Sequence, residues 1–315
     1  MATNTHAPEL PRKPRRLPKL LADHDWFGSI LVAPAMLIIL FFALFPLGYA
    51  IYLAGHYVDL TSINQIGDYV GLTSFREALI NDAFSSAIRT TLTILVIALT
   101  TEVLLGVGLA MLLNRLKWFK GPCRALFLLP LACAPEAAAL IWRYLYDSDF
   151  GVYNALLGMI GLGPINWLGS SLPALASIII FDVWQWTPFV TLITLAGLQA
   201  LPREPFEAAE LDGASRFTVF RRLTLPLLAP VLALILVLRG MDLARLYDPI
   251  AAMTKGGPGS ATETVSYYLY RVGLEDFRLD QASAMALLVL FVIVVVSGLG
   301  LRPLMRAQGA RARRG

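Results

Sequence analysis

Charge is scarce in this sequence. Asp, Glu, Lys and Arg make up 15% of its 315 residues, while hydrophobic residues make up 57%. A soluble domain carries about 25% charged and about 45–50% apolar residues. The shortage of charge, with a mean hydropathy of +0.65, excludes a disordered chain and argues against a soluble enzyme. Cysteine is nearly missing: Cys123 and Cys133 are the two present, too few for a disulfide-stapled secreted module. On one helix they would stand about 15 Å apart at 1.5 Å per residue, beyond the reach of a disulfide. The three histidines, His6, His24 and His56, are scattered, and no His-Glu-x-x-His or paired-cysteine pattern for a metal exists. There is no Gly-x-x-x-x-Gly-Lys-[Ser/Thr] loop to cradle a nucleotide phosphate. The Gly-rich run Gly256-Gly257-Pro258-Gly259 lacks the Lys-Ser/Thr that would complete one. The sequence therefore points to no ATP hydrolysis, no catalytic residues and no metal in this chain. Net charge is +4, but no basic stripe with interleaved aromatics accompanies it, so nucleic acid is not an expected partner.

What the sequence has in abundance is long apolar runs. They cover Trp26 to about Gly55, Ser86 to Leu113, Arg124 to Tyr146, Pro173 to Ala200, Leu227 to Pro249 and Ala282 to Leu304. Each is long enough to cross a hydrocarbon core of about 30 Å, which needs ~20 helical residues. The first is too long for the apolar part of a signal peptide. The expected fold class is an all-α integral membrane protein with six transmembrane helices. Residues 1–25 read as a basic cytoplasmic tail, 26–305 as the transmembrane domain and 306–315 as a second basic tail. Lys and Arg alternate in density along the chain. Arg12, Lys13, Arg15, Arg16 and Lys19 mark the first tail, and Arg302, Arg306, Arg311, Arg313 and Arg314 the last. Arg115, Lys117, Lys120 and Arg124 follow the second run, and Arg203, Arg216, Arg221 and Arg222 follow the fourth. The intervening loops are poor in both, which places the two termini inside, on the cytoplasmic face.

Smaller features fit this frame. Thr73 to Phe84 predicts a short outer helix with Ser74 as its cap. Val265, Tyr268, Leu269 and Val272 at helical spacing predict another helix over 264–277, either re-entrant or covering the bundle. Gly106, Gly108 and Ala110 form a small-residue stripe that lets a second helix approach.

Several ionisable residues fall in or near the apolar runs: Glu102, Glu136, Arg143, Asp182, Arg239, Asp242, Arg245 and Asp248. Each costs ~2.5–3.5 kcal/mol at a helix centre on insertion scales, so they should face the bundle interior or a wet cavity. One reading is a polar path for a hydroxyl-rich solute, with Glu136, Asp182, Trp186, Asp242 and Tyr247 as candidate contacts. A carboxylate beside an aromatic face suits a sugar, which presents hydroxyls and apolar C–H faces together. The other reading is pairing between helices, or snorkelling near a helix end; Arg239, Asp242, Arg245 and Asp248 alternate in sign three apart and also suit (i, i+3) pairs along one helix. Trp184 and Trp186 equally suit an interfacial aromatic belt.

The segment between the fourth and fifth runs is the most informative. It reads Leu201-Pro-Arg-Glu-Pro-Phe-Glu-Ala-Ala-Glu-Leu-Asp-Gly-Ala-Ser-Arg-Phe-Thr-Val-Phe-Arg-Arg-Leu-Thr-Leu-Pro226. Pro205 suits the first turn of a short helix. Gly213 allows a sharp bend, because without a Cβ it reaches positive φ freely. A second short helix then carries Phe217 and Phe220 on one side, and Pro226 is expected to break it before the fifth run begins. Two short helices in a bent, partly apolar knob suit a groove on a soluble partner or a place at the lipid interface.

Glu207-Ala208-Ala209, Asp212-Gly213-Ala214 and Leu223-Thr224-Leu225-Pro226 resemble the EAA loop of bacterial binding-protein-dependent ABC importers. The resemblance runs from about Trp26 to Arg302 and is greatest to permeases of maltose-type carbohydrate importers. It is carried also by Leu129-Pro130, Ile141-Trp142-Arg143, Phe150-Gly151 with Asn154, Trp167-Leu168-Gly169, the run Val183 to Phe189, Leu195 to Gln199, and Met253-Thr-Lys-Gly-Gly-Pro258. The large external insertion of the enteric maltose permease is absent. The resemblance implies a type I importer permease fold, one half of a translocation path for sugar in the bacterial inner membrane. It implies a second permease, two ATPase subunits that bind ATP and Mg, and an extracytoplasmic solute-binding protein as partners, with no cofactor in this chain. It assigns ATPase coupling to Glu207, Ala208, Ala209, Asp212, Gly213, Phe217, Phe220 and Pro226. An ion-gradient-driven secondary transporter is the alternative, with Glu102, Glu136 and Asp182 as its carboxylates.

Overall fold

The computed structural model describes residues 25–58, 66–115 and 120–312, with side chains over 32–58, 66–115, 125 and 127–299. The expected tail 1–25 lies almost wholly outside these residues, as do Lys117, Arg313 and Arg314. The chain divides into two compact units, residues 1–50 and 51–315.

The first unit holds most of a long helix, α1 (Asp25–Ala54). Pro34 and Pro46 lie inside it without ending it. Phe41, Phe45 and Tyr49 stack one turn apart along its side. The helix is apolar all round, with Leu37 and Phe42 among many exposed large side chains, the character of a span whose solvent is lipid.

The second unit opens with a two-stranded hairpin, β1 (His56–Val58) against β2 (Ile66–Tyr69), and a short helix α2 (Thr73–Ile80). Ser74 is not the cap of α2: it lies inside the helix and is buried, while the capping position is Leu72. Asn81 caps the next helix instead, its side-chain oxygen accepting from the Phe84 N–H at 2.9 Å. That helix, α3 (Asp82–Arg115), is one of the long ones, with α7 (Ser171–Gln199), α10 (Leu225–Ala244) and α12 (Leu279–Ala312). α3 lies along α7, α10 packs on both, and α12 rests on α10 and α2. The small-residue stripe works as expected at one position. A Cβ on Gly106 would come within 2.5 Å of Val190 Cγ1, so glycine is what lets α3 and α7 approach. Gly197 plays the same part between α7 and α10, facing Leu228 and Val231.

Among the described residues, five helices are long and apolar enough to cross a membrane: Val32–Ala54, Asp82–Arg115, Ser171–Gln199, Arg216–Ala244 and Leu279–Leu299. The third apolar run differs from expectation. It forms two helices, α4 (Lys120–Ala132) and α5 (Pro135–Leu145). The break falls before Pro135, because a proline disfavours helical geometry in the residue preceding it; Ala134 is accordingly extended, at φ −61° and ψ 131°. Pro130, by contrast, stays within α4. The fifth run also ends early. Helix α10 stops at Ala244, and a π-helical turn at Ile250–Thr254 follows, so Tyr247 and Asp248 lie beyond the helix.

The helix predicted over 264–277 is present as α11 (Val265–Tyr270) continued by a π-helical turn, Arg271–Glu275. It covers the bundle: Val265, Tyr268 and Val272 pack with Phe84, Ala87 and Met285. Its first N–H is held by α3, where Thr91 Oγ1 accepts from Val265 N at 2.9 Å. Between α5 and α7, the loop containing α6 (Val152–Met159) is stitched by Asn154. That side chain donates to Ser148 O and Ile165 O and accepts from Ile165 N and Trp167 Nε1.

Replacing Gly106 by Leu should overpack the α3–α7 contact and cost about 1–3 kcal/mol. Gly108→Leu, at a position where a Cβ meets nothing within 4 Å, should be near neutral. Thermal unfolding of the two purified variants in detergent checks the difference.

Candidate functional site

An arginine inside a membrane bundle must be paired, since its charge cannot be left to hydrocarbon. Arg239 of α10 is 1% exposed and is paired on nearly every side. Its Nε and Nη2 donate to the two oxygens of Glu102 on α3, both at 2.8 Å. Nη2 also donates to Asp182 Oδ2 on α7 at 2.8 Å. The guanidinium carbon stands 4.5 Å from the centre of the Trp186 ring, a cation–π contact. The bidentate fork to Glu102 matches guanidinium to carboxylate geometry. Three helices thus meet at one buried ionic node.

The node differs from pairing along one helix. Those (i, i+3) pairs exist but are the weaker set: Arg239 to Asp242 at 3.8 Å, and Arg245 to Asp242 at 3.3 Å with Arg245 mostly exposed. Asp248 forms no such pair among the described residues, because the helix has already ended.

Beside the node is a cavity of about 350 Å³. Asp182, Gln185, Trp186, Arg239, Asp242 and Tyr247 are among the residues lining it. Four of the five candidate solute contacts therefore share one cavity. Glu136 does not join them: it sits exposed in the first turn of α5. Asp182 is committed to Arg239, so the groups free to meet a hydroxyl are different ones. Nη1 of Arg239 faces Asp242 without a hydrogen bond to it. Gln185 donates to Cys133 O, while its side-chain oxygen, though buried, has no partner among the described residues. A donor, two acceptors and the Trp186 and Tyr247 rings together suit a polyhydroxylated solute. The Tyr247 ring continues into a cluster with Tyr267 and Tyr270. Trp184 points elsewhere, against Trp142 and Phe181.

Sequence reasoning allowed for pairing between helices without naming the partners, and it missed Gln185. The partners of Arg239 lie 137 and 57 residues away, and no local spacing relates them. The usable signal was stoichiometric: an arginine in an apolar run needs a carboxylate, and Glu102 and Asp182 were the carboxylates within other runs.

The segment 201–226 forms the bent pair of short helices. α8 (Glu204–Leu211) has Pro205 in its first turn. Gly213 makes the bend at φ +67°, and Ala214 N donates to Ala209 O at 2.9 Å to close it. α9 (Arg216–Val219) is capped by Ser215, whose Oγ accepts from Thr218 N. Pro226 does not break the chain here. A π-helical turn, Phe220–Thr224, joins α9 to α10, and Pro226 sits in the first turn of α10. The wider turn accommodates a residue that has no N–H to give. Glu207, Ala208, Asp212 and Gly213 are exposed and Ala209 half-buried. Leu211 and Phe217 are 90% and 69% exposed. Phe220 instead turns inward and, with Glu207 and Phe206, lines a cavity of about 950 Å³ under the ends of α3 and α7.

Long apolar helices around a buried polar node, with a bent loop exposing apolar side chains, define a multi-pass membrane transport subunit. Residues 102–304 match the family described as binding-protein-dependent transport system inner membrane component, and the chain belongs to it. It is a permease subunit of an ABC importer. It is 40% identical over 86% of its length to a probable ABC transporter permease protein, y4oQ, of Sinorhizobium fredii, and covers 86% of that protein. It is 36% identical over 84% of its length to the trehalose/maltose transport system permease protein MalF of Thermococcus litoralis, covering 89% of it. Its fold matches a chain in the crystal structure of a bacterial ABC transporter that imports the acidic polysaccharide alginate, with a TM-score of 0.77 at 24% identity, over 91% of this chain and 99% of that one. This membership does not favour the ion-gradient alternative, and Glu102 and Asp182, two of the carboxylates it needs, are both held by Arg239.

Arg239→Met should strand two buried carboxylates and destabilise the protein by ~3–5 kcal/mol, whereas the triple change Glu102→Met, Asp182→Leu, Arg239→Met should recover most of that loss. Thermal unfolding in detergent separates the two outcomes.

Proposed function

We propose that this chain forms half of the translocation path of an ATP-driven sugar importer in the bacterial inner membrane. In this reading it crosses the membrane six times, with α4 and α5 together making the third crossing, and both termini are cytoplasmic. A second permease completes the path. Two ATPase subunits, which bind ATP and Mg, dock on the loop 201–226, and an extracytoplasmic binding protein delivers the solute. No cofactor belongs to this chain. The observation that carries the reading is the loop itself: two short helices bent at Gly213, turning Leu211, Asp212 and Phe217 outward, in a chain of this family.

Coupling falls to Glu207, Ala208, Ala209, Asp212, Gly213 and Phe217 as the docking face. Phe220 and Pro226 join that face to α10. ATP binding by the partners shifts a two-state equilibrium between outward-open and inward-open forms. A sugar is favoured as solute by the relative named for trehalose and maltose, and by the hydroxyl-matching groups and rings around the cavity beside Arg239. Asp242, Trp186 and Tyr247 contact solute directly in this reading, Asp182 acts through Arg239, and Glu136 stands at the periphery.

The tagged chain, purified from native membranes in mild detergent, should retain an ATPase subunit and a second six-span permease. Recovery of this chain alone from membranes that still transport would contradict the reading. Gly213→Val should leave membrane insertion intact and lower transport at least tenfold. A Cβ there meets nothing within 4 Å, so the loss would come from the backbone at φ +67°, which a β-branched residue resists. Uptake by cells carrying the variant, with its membrane level checked by immunoblot, tests this.

A further inference from the structure

The cavity beside Arg239 holds a charge imbalance that bears on which solutes pass. Its charged lining residues are Asp182, Asp242, Asp248, Arg239 and Arg245. Glu102 stands directly behind Arg239, bonded to it at 2.8 Å. Four carboxylates therefore face two guanidiniums, and no lysine lines the space. Protonation of any one carboxylate still leaves them in excess. The positive charges are also already spent. Arg239 gives Nε and Nη2 to Glu102 and Asp182, and its remaining Nη1 faces Asp242. Arg245 hydrogen-bonds Asp242. Asp248 is exposed and has no cation within 4.0 Å among the described residues.

We propose that this half of the path excludes anions: it passes neutral or positively charged polyhydroxylated solutes and rejects those bearing carboxylate, phosphate or sulfonate. The inference rests on the reading of this cavity as part of the solute path. An anionic solute would have to take Arg239 from its carboxylates, and would meet Asp242 and Asp248 at the same step. A neutral sugar needs neither. It takes hydrogen bonds from Nη1 of Arg239 and gives them to Asp242 and Gln185. Glu102, which does not line the cavity, is then a positioning residue: it occupies the two guanidinium nitrogens that would otherwise attract an anion. A cleft whose net charge is negative draws in cations and repels anions, which sets selectivity without any steric barrier.

The charge comparison measures local potential and needs no knowledge of the natural solute; the protection measurement uses neutral sugars and glycerol as its probes. Leu246, half-buried on the cavity wall, is changed to cysteine in a chain carrying Cys123→Ser and Cys133→Ser. The assembled complex is placed in nanodiscs, with and without ATP. Three methanethiosulfonates are compared: the trimethylammonium-ethyl, sulfonato-ethyl and neutral hydroxyethyl forms, each normalised to its rate with a free thiol in solution. The cationic reagent should react at least tenfold faster than the anionic one, and Asp248→Asn should narrow the ratio severalfold. An anionic reagent that reacts as fast as the cationic one overturns the proposal. A thiol that no reagent reaches in either nucleotide state overturns it too, by removing the cavity from the path. Protection by a mixture of glucose, maltose, trehalose and glycerol separates the two levels. Protection without charge preference leaves the cavity on the path and defeats the anion exclusion. Charge preference without protection upholds the negative potential and defeats the path on which the proposal rests.

Discussion

Much of this molecule is arranged around one guanidinium that cannot be left in hydrocarbon. Arg239 on α10 is satisfied only where α3 brings Glu102 and α7 brings Asp182 to it. Three helices that otherwise meet through non-directional apolar contacts are thereby held at one depth and one rotation. Apolar packing supplies adhesion around the node. Gly106 lets α3 close on α7 at Val190, and Gly197 lets α10 close on α7 through Leu228 and Val231. A bidentate ion pair adds a directional constraint to that packing. The node is a device of specificity more than of stability, since well-packed apolar residues of similar volume are often as stable as a buried ion cluster.

The same helix links the two places where function is proposed. A continuous helical stretch runs from Arg216, next to the bend at Gly213, to Ala244. Arg216 and Arg239 are about 35 Å apart along it at 1.5 Å per residue. The loop 201–226 and the cavity are therefore joined by one lever. Its irregularities include the π-helical turn at Phe220–Thr224, where the lever meets the loop, and Pro230 inside α10. Beyond its other end the chain turns through Tyr247 and Asp248 into a second π-helical turn. In the proposed importer, a displacement of the docked helices is carried by α10 to the node, and the cavity wall moves with it.

Much of this was legible in the sequence, and the reason differs from feature to feature. The long helices are visible because lipid demands about twenty apolar residues in a row, a constraint written locally. The bend at Gly213 and the short helix opened by Pro205 are visible for the same reason: backbone chemistry of single residues decides them. The division of the third run into α4 and α5 was missed because proline inside an apolar run has two outcomes. Pro130 and Pro46 are absorbed and Pro135 is not, and nothing in the local sequence separates the two outcomes. Pro226 erred the other way, since a π-helical turn upstream makes room for it. The pairing of Arg239 was beyond local reasoning, because its partners are fixed by how three helices pack. Alternating signs at spacing three pointed instead to the weaker contacts with Asp242. Gln185 carried no pattern at all, and only the fold brings it to the cavity.

Uptake by proteoliposomes separates an ATP-driven importer from an ion-coupled transporter. The purified complex of this chain with its partners would be reconstituted with ATP either enclosed or omitted, the binding protein and labelled sugar supplied at the opposite face, and proton or sodium gradients imposed in parallel. Uptake should require ATP on the side of the loop 201–226 and ignore the ion gradients. Uptake that follows an ion gradient without ATP would contradict it.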